Sequence, residues 1–143
     1  MHKVEITKPA KGPAEAIWQV LSDFGGFMNW AGFSQGEIEV EGEGVGMIRH
    51  LKSAVGDIGE QLTSLDNETR QIGYRIVYGE PIGMKAYQAL VTVITKGCDS
   101  CEINWSGMFE PIDPDTRDQV AEALAGSYQA MHKALESYTL ARL

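Results

Sequence analysis

The chain has 143 residues, with 20 Asp and Glu against 12 Lys and Arg and a formal net charge of −8. One domain of ordinary size accounts for that length and buries roughly 70% of the surface its unfolded chain exposes, so no staple is needed. The acidic balance excludes the clustered basic face that a phosphate backbone requires, so no nucleic-acid partner is expected.

No apolar run reaches the roughly 20 residues of a membrane span. Residues Met1 to Lys8 lack the apolar stretch of a signal peptide, so a cytoplasmic location is expected.

Val4 to Lys8 alternates weakly and predicts a first strand. Pro13 suits the first turn of a helix, in which Ala16, Ile17, Val20, Leu21 and Phe24 follow at helical spacing and Gly25-Gly26 is the expected stop. Phe27 to Phe33, with Met28 and Trp30, predicts a second short helix or an ordered loop.

From Gly36 the period changes to two. Glu37 to Val40, Gly46 to Lys52, Asp57 to Leu65, Gln71 to Tyr78, Met84 to Thr95 and Cys101 to Glu110 read as strands. Their short connections contain Gly, Pro, Asp or Asn and imply antiparallel hairpins. Pro111 and Pro114 end the sheet, and Asp113 or Asp115 can cap a final helix that runs to about Tyr138. Val120, Leu124, Tyr128, Met131, Leu135 and Tyr138 share its apolar face. This order specifies an α+β domain whose antiparallel sheet faces one long helix, with a cavity for a small hydrophobic molecule between them.

Opposed residues in an antiparallel pair have a constant index sum set by the turn. A turn near Ala54-Val55 opposes Arg49 to Glu60, and one near Asn67 opposes Glu60 to Tyr74. A turn at Glu80-Pro81 opposes Tyr74 to Tyr87, and one at Cys98 opposes Val91 to Trp105 and Tyr87 to Phe109. The inner face then carries a row of Arg49, Glu60, Tyr74, Tyr87 and Phe109 among Leu51, Ile58, Leu62, Ile72, Ile76, Ala89, Val91, Val93, Ile103 and Trp105. Gln61, Thr63, Arg75, Gln88, Glu102 and Asn104 fall on the other, solvated face. A charged pair facing an apolar interior either fixes the register or marks a cavity that admits water and ligand.

Other signals fail on context. Cys98 and Cys101 lie at a hairpin turn without further metal ligands, and His2, His50 and His132 lack ligand spacing, so no metal is expected. By parity His50 is solvated, and His132 suits a favourable charge near a helix C-terminus. The glycines at 42, 44 and 46 join two strands rather than open a phosphate-binding helix. What remains for catalysis is acid–base work: Glu60 moves a proton, Arg49 stabilises an enolate-like oxygen, and Tyr74 or Tyr87 orients a carbonyl. The same groups can simply hold a ligand's polar end, and the ion pair favours that role.

Gly46-Met-Ile-Arg49, Ile58-Gly-Glu60-Gln-Leu62 followed by Asp66, Tyr74-Arg-Ile76, Ile17-Trp18 with Val20-Leu21, Ile103-Asn-Trp105 and Phe109-Glu-Pro111 together resemble the START/Bet v 1-like superfamily. Within it, the chain is most similar to the bacterial polyketide cyclase/dehydrase and lipid-transport proteins. The resemblance implies a helix-grip fold: seven antiparallel strands curved around a long C-terminal helix, with two short helices after the first strand. It also implies entrance loops at Ser53 to Asp57 and Gly79 to Gly83. The plant hormone receptors that share this fold would place an inner glutamate, an aromatic residue and a tyrosine at Glu60, Tyr74 and Tyr87.

The expected ligand-lining set is Arg49, Leu51, Ile58, Glu60, Tyr74, Ile76, Tyr87, Ala89, Trp105 and Phe109 on the sheet, with Leu124, Tyr128 and Met131 on the helix. No cofactor is expected, and a homodimer through an edge strand is open. Three functions remain: a carrier or sensor of a lipid, polyketide or aromatic metabolite; a cofactor-free cyclase, dehydratase or isomerase using Glu60 and Arg49; or an interaction module with a collapsed cavity and an apolar patch around Trp30 and Phe33.

Overall fold

The computed structural model describes residues 1–31, 36–53 and 56–143. Strand β1 (His2–Lys11) is followed by helix α1 (Ala14–Ser22) and a 3-10 segment (Phe24–Asn29). Strands β2 (Glu37–Glu41), β3 (Ile48–Ser53), β4 (Gly56–Asp66), β5 (Gln71–Tyr78), β6 (Met84–Gly97) and β7 (Ser100–Pro111) then precede helix α2 (Arg117–Ala141). Short 3-10 turns occupy Pro81–Gly83 and Pro114–Thr116. The strands form one antiparallel sheet in the order β1-β7-β6-β5-β4-β3-β2, with α2 packed on its inner face, which is a helix-grip arrangement. Phe33 and the turn residues Ala54 and Val55 lie outside the described residues.

β1 continues past its expected end at Lys8 because it is an edge strand, where Pro9 removes no central ladder bond. The Pro9 carbonyl instead accepts a hydrogen bond from His132 Nε2 at 2.9 Å. His132 Nδ1 accepts from Trp105 Nε1 at 3.1 Å. An indole nitrogen only donates, so this pairing selects the Nε2–H tautomer of a neutral imidazole. His132 is therefore not a charge at a helix end. α2 extends nine residues beyond it to Ala141, and the ring is a buried bridge between β1, β7 and α2.

α1 buries Ala14, Ile17, Trp18 and Leu21, and Trp18 Nε1 donates to Asn67 Oδ1 at 2.9 Å, fixing α1 to the β4–β5 turn. Gly25-Gly26 does not end this helix. α1 stops at Ser22, and both glycines belong to the 3-10 segment, whose tighter turn places Phe24 and Phe27 on one face. Asp113 caps the 3-10 turn through Asp115 N–H rather than α2 itself.

Arg49 opposes Glu60, Tyr87 opposes Phe109 and Val91 opposes Trp105, as the index sums predict. Two other pairings differ. Glu60 opposes Ile76 and Tyr74 opposes Leu62, because the β4–β5 turn spans Asn67 to Arg70 instead of centring on Asn67, and the irregularity between Leu62 and Ser64 takes back one residue of that displacement. Tyr74 opposes Ala89 rather than Tyr87. Each slip is by two residues, and an even slip keeps every side chain on its face. The inner set is accordingly buried or half-buried, whereas Thr63, Arg75 and Gln88 are exposed.

Candidate ligand cavity

A cavity of about 390 Å³ lies between the sheet and α2. Leu51, Ile58 and Glu60 line it from β3 and β4, Tyr74 from β5, and Met84 and Tyr87 from β6. Leu124, Ser127 and Met131 cover it from α2, and Phe27 closes it from the 3-10 segment. Gly56, Asp57, Glu80, Pro81 and Ile82 form its mouth, where the β3–β4 and β5–β6 connections meet. Its size is at the small end of ordinary ligand sites.

Glu60 is the buried charged group among the described residues that line this space. Its Oε1 accepts from Arg49 Nε at 2.8 Å, with the two side chains 9% and 5% exposed. Arg49 also donates through Nη1 to the Phe24 carbonyl at 3.1 Å. Its guanidinium carbon sits 3.9 Å from the Phe24 ring centroid, 4.1 Å from Phe27 and 5.1 Å from Tyr74. Such an aromatic enclosure stabilises the cation through ring quadrupoles and replaces water around it. It also takes Arg49 out of the cavity wall. Among the described residues, Glu60 Oε2 has no hydrogen-bond partner, so the carboxylate offers its second oxygen on the cavity side.

Tyr74 and Tyr87 meet edge-to-face at 6.1 Å, and the Tyr87 and Tyr128 hydroxyls are hydrogen-bonded at 2.5 Å. Tyr128 in turn stacks on Trp105 at 5.9 Å. The Tyr74 hydroxyl is pushed up to about 12 by burial first and by the Glu60 charge second, with Arg49 opposing. Burial likewise raises Tyr87 well above its ordinary value, with Tyr74 and Tyr128 adding to the effect. Tyr128 is also raised, chiefly by burial. All three phenols are therefore neutral near pH 7, available to donate or accept hydrogen bonds but not to act as bases.

Of the expected set, Leu51, Ile58, Glu60, Tyr74, Tyr87, Leu124 and Met131 come together at the cavity. Arg49, Ile76, Ala89, Trp105, Phe109 and Tyr128 do not line it. The reason is packing: Tyr128 and Trp105 fill the space between α2 and β7, Phe109 is fully buried against His2, and Ala89 is covered by its neighbours. Sequence reasoning missed Phe27 and Ser127, whereas the mouth residues fall in the two entrance loops that the resemblance implies, with their glycines and proline as a local signal. Ile82 adds one that needs coordinates, a positive φ of 58° at a β-branched residue.

The sequence profile of the polyketide cyclase / dehydrase and lipid transport family matches residues 1–139. The chain belongs to that family. No curated protein matches it in sequence. Among solved structures, XoxI from Bacillus cereus has a TM-score of 0.83 at 22% identity, covering 98% of this chain and 96% of that one. Norcoclaurine synthase from Thalictrum flavum, in complex with dopamine and hydroxybenzaldehyde, has a TM-score of 0.80 at 22% identity and coverages of 99% and 88%. The Zhui aromatase/cyclase from Streptomyces sp. R1128 has a TM-score of 0.79 at 22% identity and coverages of 99% and 94%. At such identities these family likenesses carry the fold alone. Among the described residues, no helix is long and apolar enough to cross a membrane.

Proposed function

We propose that this domain binds a small hydrophobic or aromatic molecule, such as a lipid, polyketide or related metabolite, in the cavity under α2. The observation that carries this reading is the cavity itself. It is about 390 Å³, walled by apolar side chains, and has a few convergent polar groups in Glu60, Tyr74 and Tyr87. That composition fits a ligand with an apolar body and one polar end. An open space of this size also speaks against the interaction-module reading, which requires a collapsed interior. The family's lipid-transport members make carriage or sensing the simplest role.

The neutral fluorophore N-phenyl-1-naphthylamine tests this. Saturable binding at one site is expected, weakened about tenfold or more by Leu124→Trp, which fills the cavity from α2. Absence of saturable binding, or affinity unchanged in a folded Leu124→Trp protein, overturns the proposal.

A second reading, cofactor-free cyclisation, dehydration or isomerisation, is favoured by the free oxygen of Glu60 beside neutral tyrosine hydroxyls. An aromatase/cyclase and a norcoclaurine synthase with this fold fit that chemistry. Glu60 would shuttle the proton, and Arg49 would position Glu60 rather than touch the substrate. Glu60→Gln should then abolish turnover of a cyclisable polyketide mimic while leaving its binding measurable. Unchanged turnover removes Glu60 as acid or base.

A further inference from the structure

The cavity wall is one-sided in charge. Three of its lining residues, Glu60, Asp57 and Glu80, are acidic, and among the described residues no Lys, Arg or His lines it. The cation nearest to Glu60 is Arg49, whose guanidinium is enclosed by Phe24 and Phe27 and turned away from the space. At the mouth, Lys52 opposes Asp57 across β3 and β4, but its ammonium is bonded to Glu39 at 3.2 Å. A ligand carboxylate would enter past two exposed acids and end against a third, with no donor of opposite charge. A protonated amine meets the reverse: attraction at the mouth, a carboxylate oxygen inside, and the tyrosine rings of Tyr74 and Tyr87 beside it.

From this we infer that the cavity selects cationic ligands, specifically a protonated amine carried on an aromatic or apolar body, over neutral and anionic analogues of equal size. The inference rests on the ligand-binding reading above and narrows it to a chemical class. It assigns Asp57 and Glu80 to ligand capture at the mouth and Glu60 Oε2 to the ammonium inside. The apolar walls formed by Leu51, Ile58, Leu124 and Met131 hold the body.

Three one-ring probes of matched size separate the possibilities: 2-phenylethylamine, 2-phenylethanol and phenylacetate, each titrated as a competitor of bound N-phenyl-1-naphthylamine. The amine is expected to compete at least about tenfold more tightly than the alcohol at low ionic strength, with phenylacetate weakest. Raising the salt should narrow the gap, because the mouth acids are exposed and screened. The double variant Asp57→Asn/Glu80→Gln, at two exposed positions, should shrink the ratio of amine to alcohol affinity, and an unchanged ratio removes the mouth acids from the selection. Equal affinities of amine and alcohol, or tightest binding of phenylacetate, overturn the charge selection while the naphthylamine signal still upholds a binding cavity. Loss of the naphthylamine signal itself removes both.

Discussion

Arg49 and Glu60 form a buried ion pair with a single short contact, Nε to Oε1 at 2.8 Å, in which one partner faces aromatic rings and the other faces the cavity. Taking two charges out of water costs several kcal/mol each, so the pair holds only while both members are present. Arg49→Met should lower stability by about 3–5 kcal/mol, because it strands a buried carboxylate. The double variant Arg49→Met/Glu60→Leu should recover a large part of that loss. Urea denaturation of the wild type and these two variants measures both. A double variant no more stable than the single one would assign the cost to lost stacking on Phe24 and Phe27 instead.

Gly107 and Tyr128 share one space. A Cβ at position 107 would overlap the Tyr128 hydroxyl and approach the Tyr87 ring to 3.0 Å. Both tyrosines are buried and held by their mutual hydrogen bond, so neither can swing aside cheaply. Gly107→Ala should therefore cost about 1–3 kcal/mol. The penalty should be smaller in a Tyr128→Phe background, where the obstructing oxygen is gone, and thermal unfolding of the four-member cycle reads the difference. Additive costs would show that the hydroxyl is not the obstacle.

Ile82 holds a left-handed backbone at φ 58° and ψ 13° in the turn that borders the cavity mouth. For a β-branched residue that conformation costs about 1–2 kcal/mol, a load that asparagine carries more easily. Ile82 is 40% exposed, so burial offsets only part of the strain. Ile82→Asn should raise stability by about 1 kcal/mol while weakening the naphthylamine probe, since the mouth loses an apolar wall. Ile82→Val, equally branched, should do neither. A less stable Ile82→Asn protein would show that the apolar contact outweighs the strain.

The sheet was legible in the sequence because alternation and short polar turns are local signals. The inner face was legible for the same reason, and it survived two register errors. A β4–β5 turn centred beyond Asn67, corrected by one residue at the Leu62/Ser64 irregularity, moved Glu60 from Tyr74 to Ile76, but an even displacement left the glutamate facing inward. The cavity wall was only half legible. Which inward side chains touch empty space depends on what α2 and the 3-10 segment bring against them. Tyr128 fills the sheet's β7 side and excludes Trp105 and Phe109, whereas Phe27 reaches Arg49 from a segment whose pairing no periodicity reveals. The bend of the mouth turn at Ile82 was likewise invisible, because a β-branched residue argues against a positive φ.

The tyrosine cluster predicts how the fold responds to alkali. Tyr74 has an ordinary value of 10.0 and is held at about 12 in the folded chain, chiefly by burial and then by the Glu60 carboxylate. The folded state thus keeps the Tyr74 proton after the unfolded chain has begun to lose it. The associated stability is intact below pH 10, falls as the pH rises through 10 to 12, and is lost above the folded value. Tyr87 and Tyr128, both raised by burial, push in the same direction, so unfolding in this range should be steep and accompanied by phenolate absorbance. Tyr74→Phe removes one such proton, and its stability should decline less steeply over the same interval. Denaturation midpoints taken from pH 8 upward provide the comparison. Parallel slopes for the two proteins would mean that Tyr74 ionises in the folded chain without penalty, and that its hydroxyl reaches water through the cavity mouth.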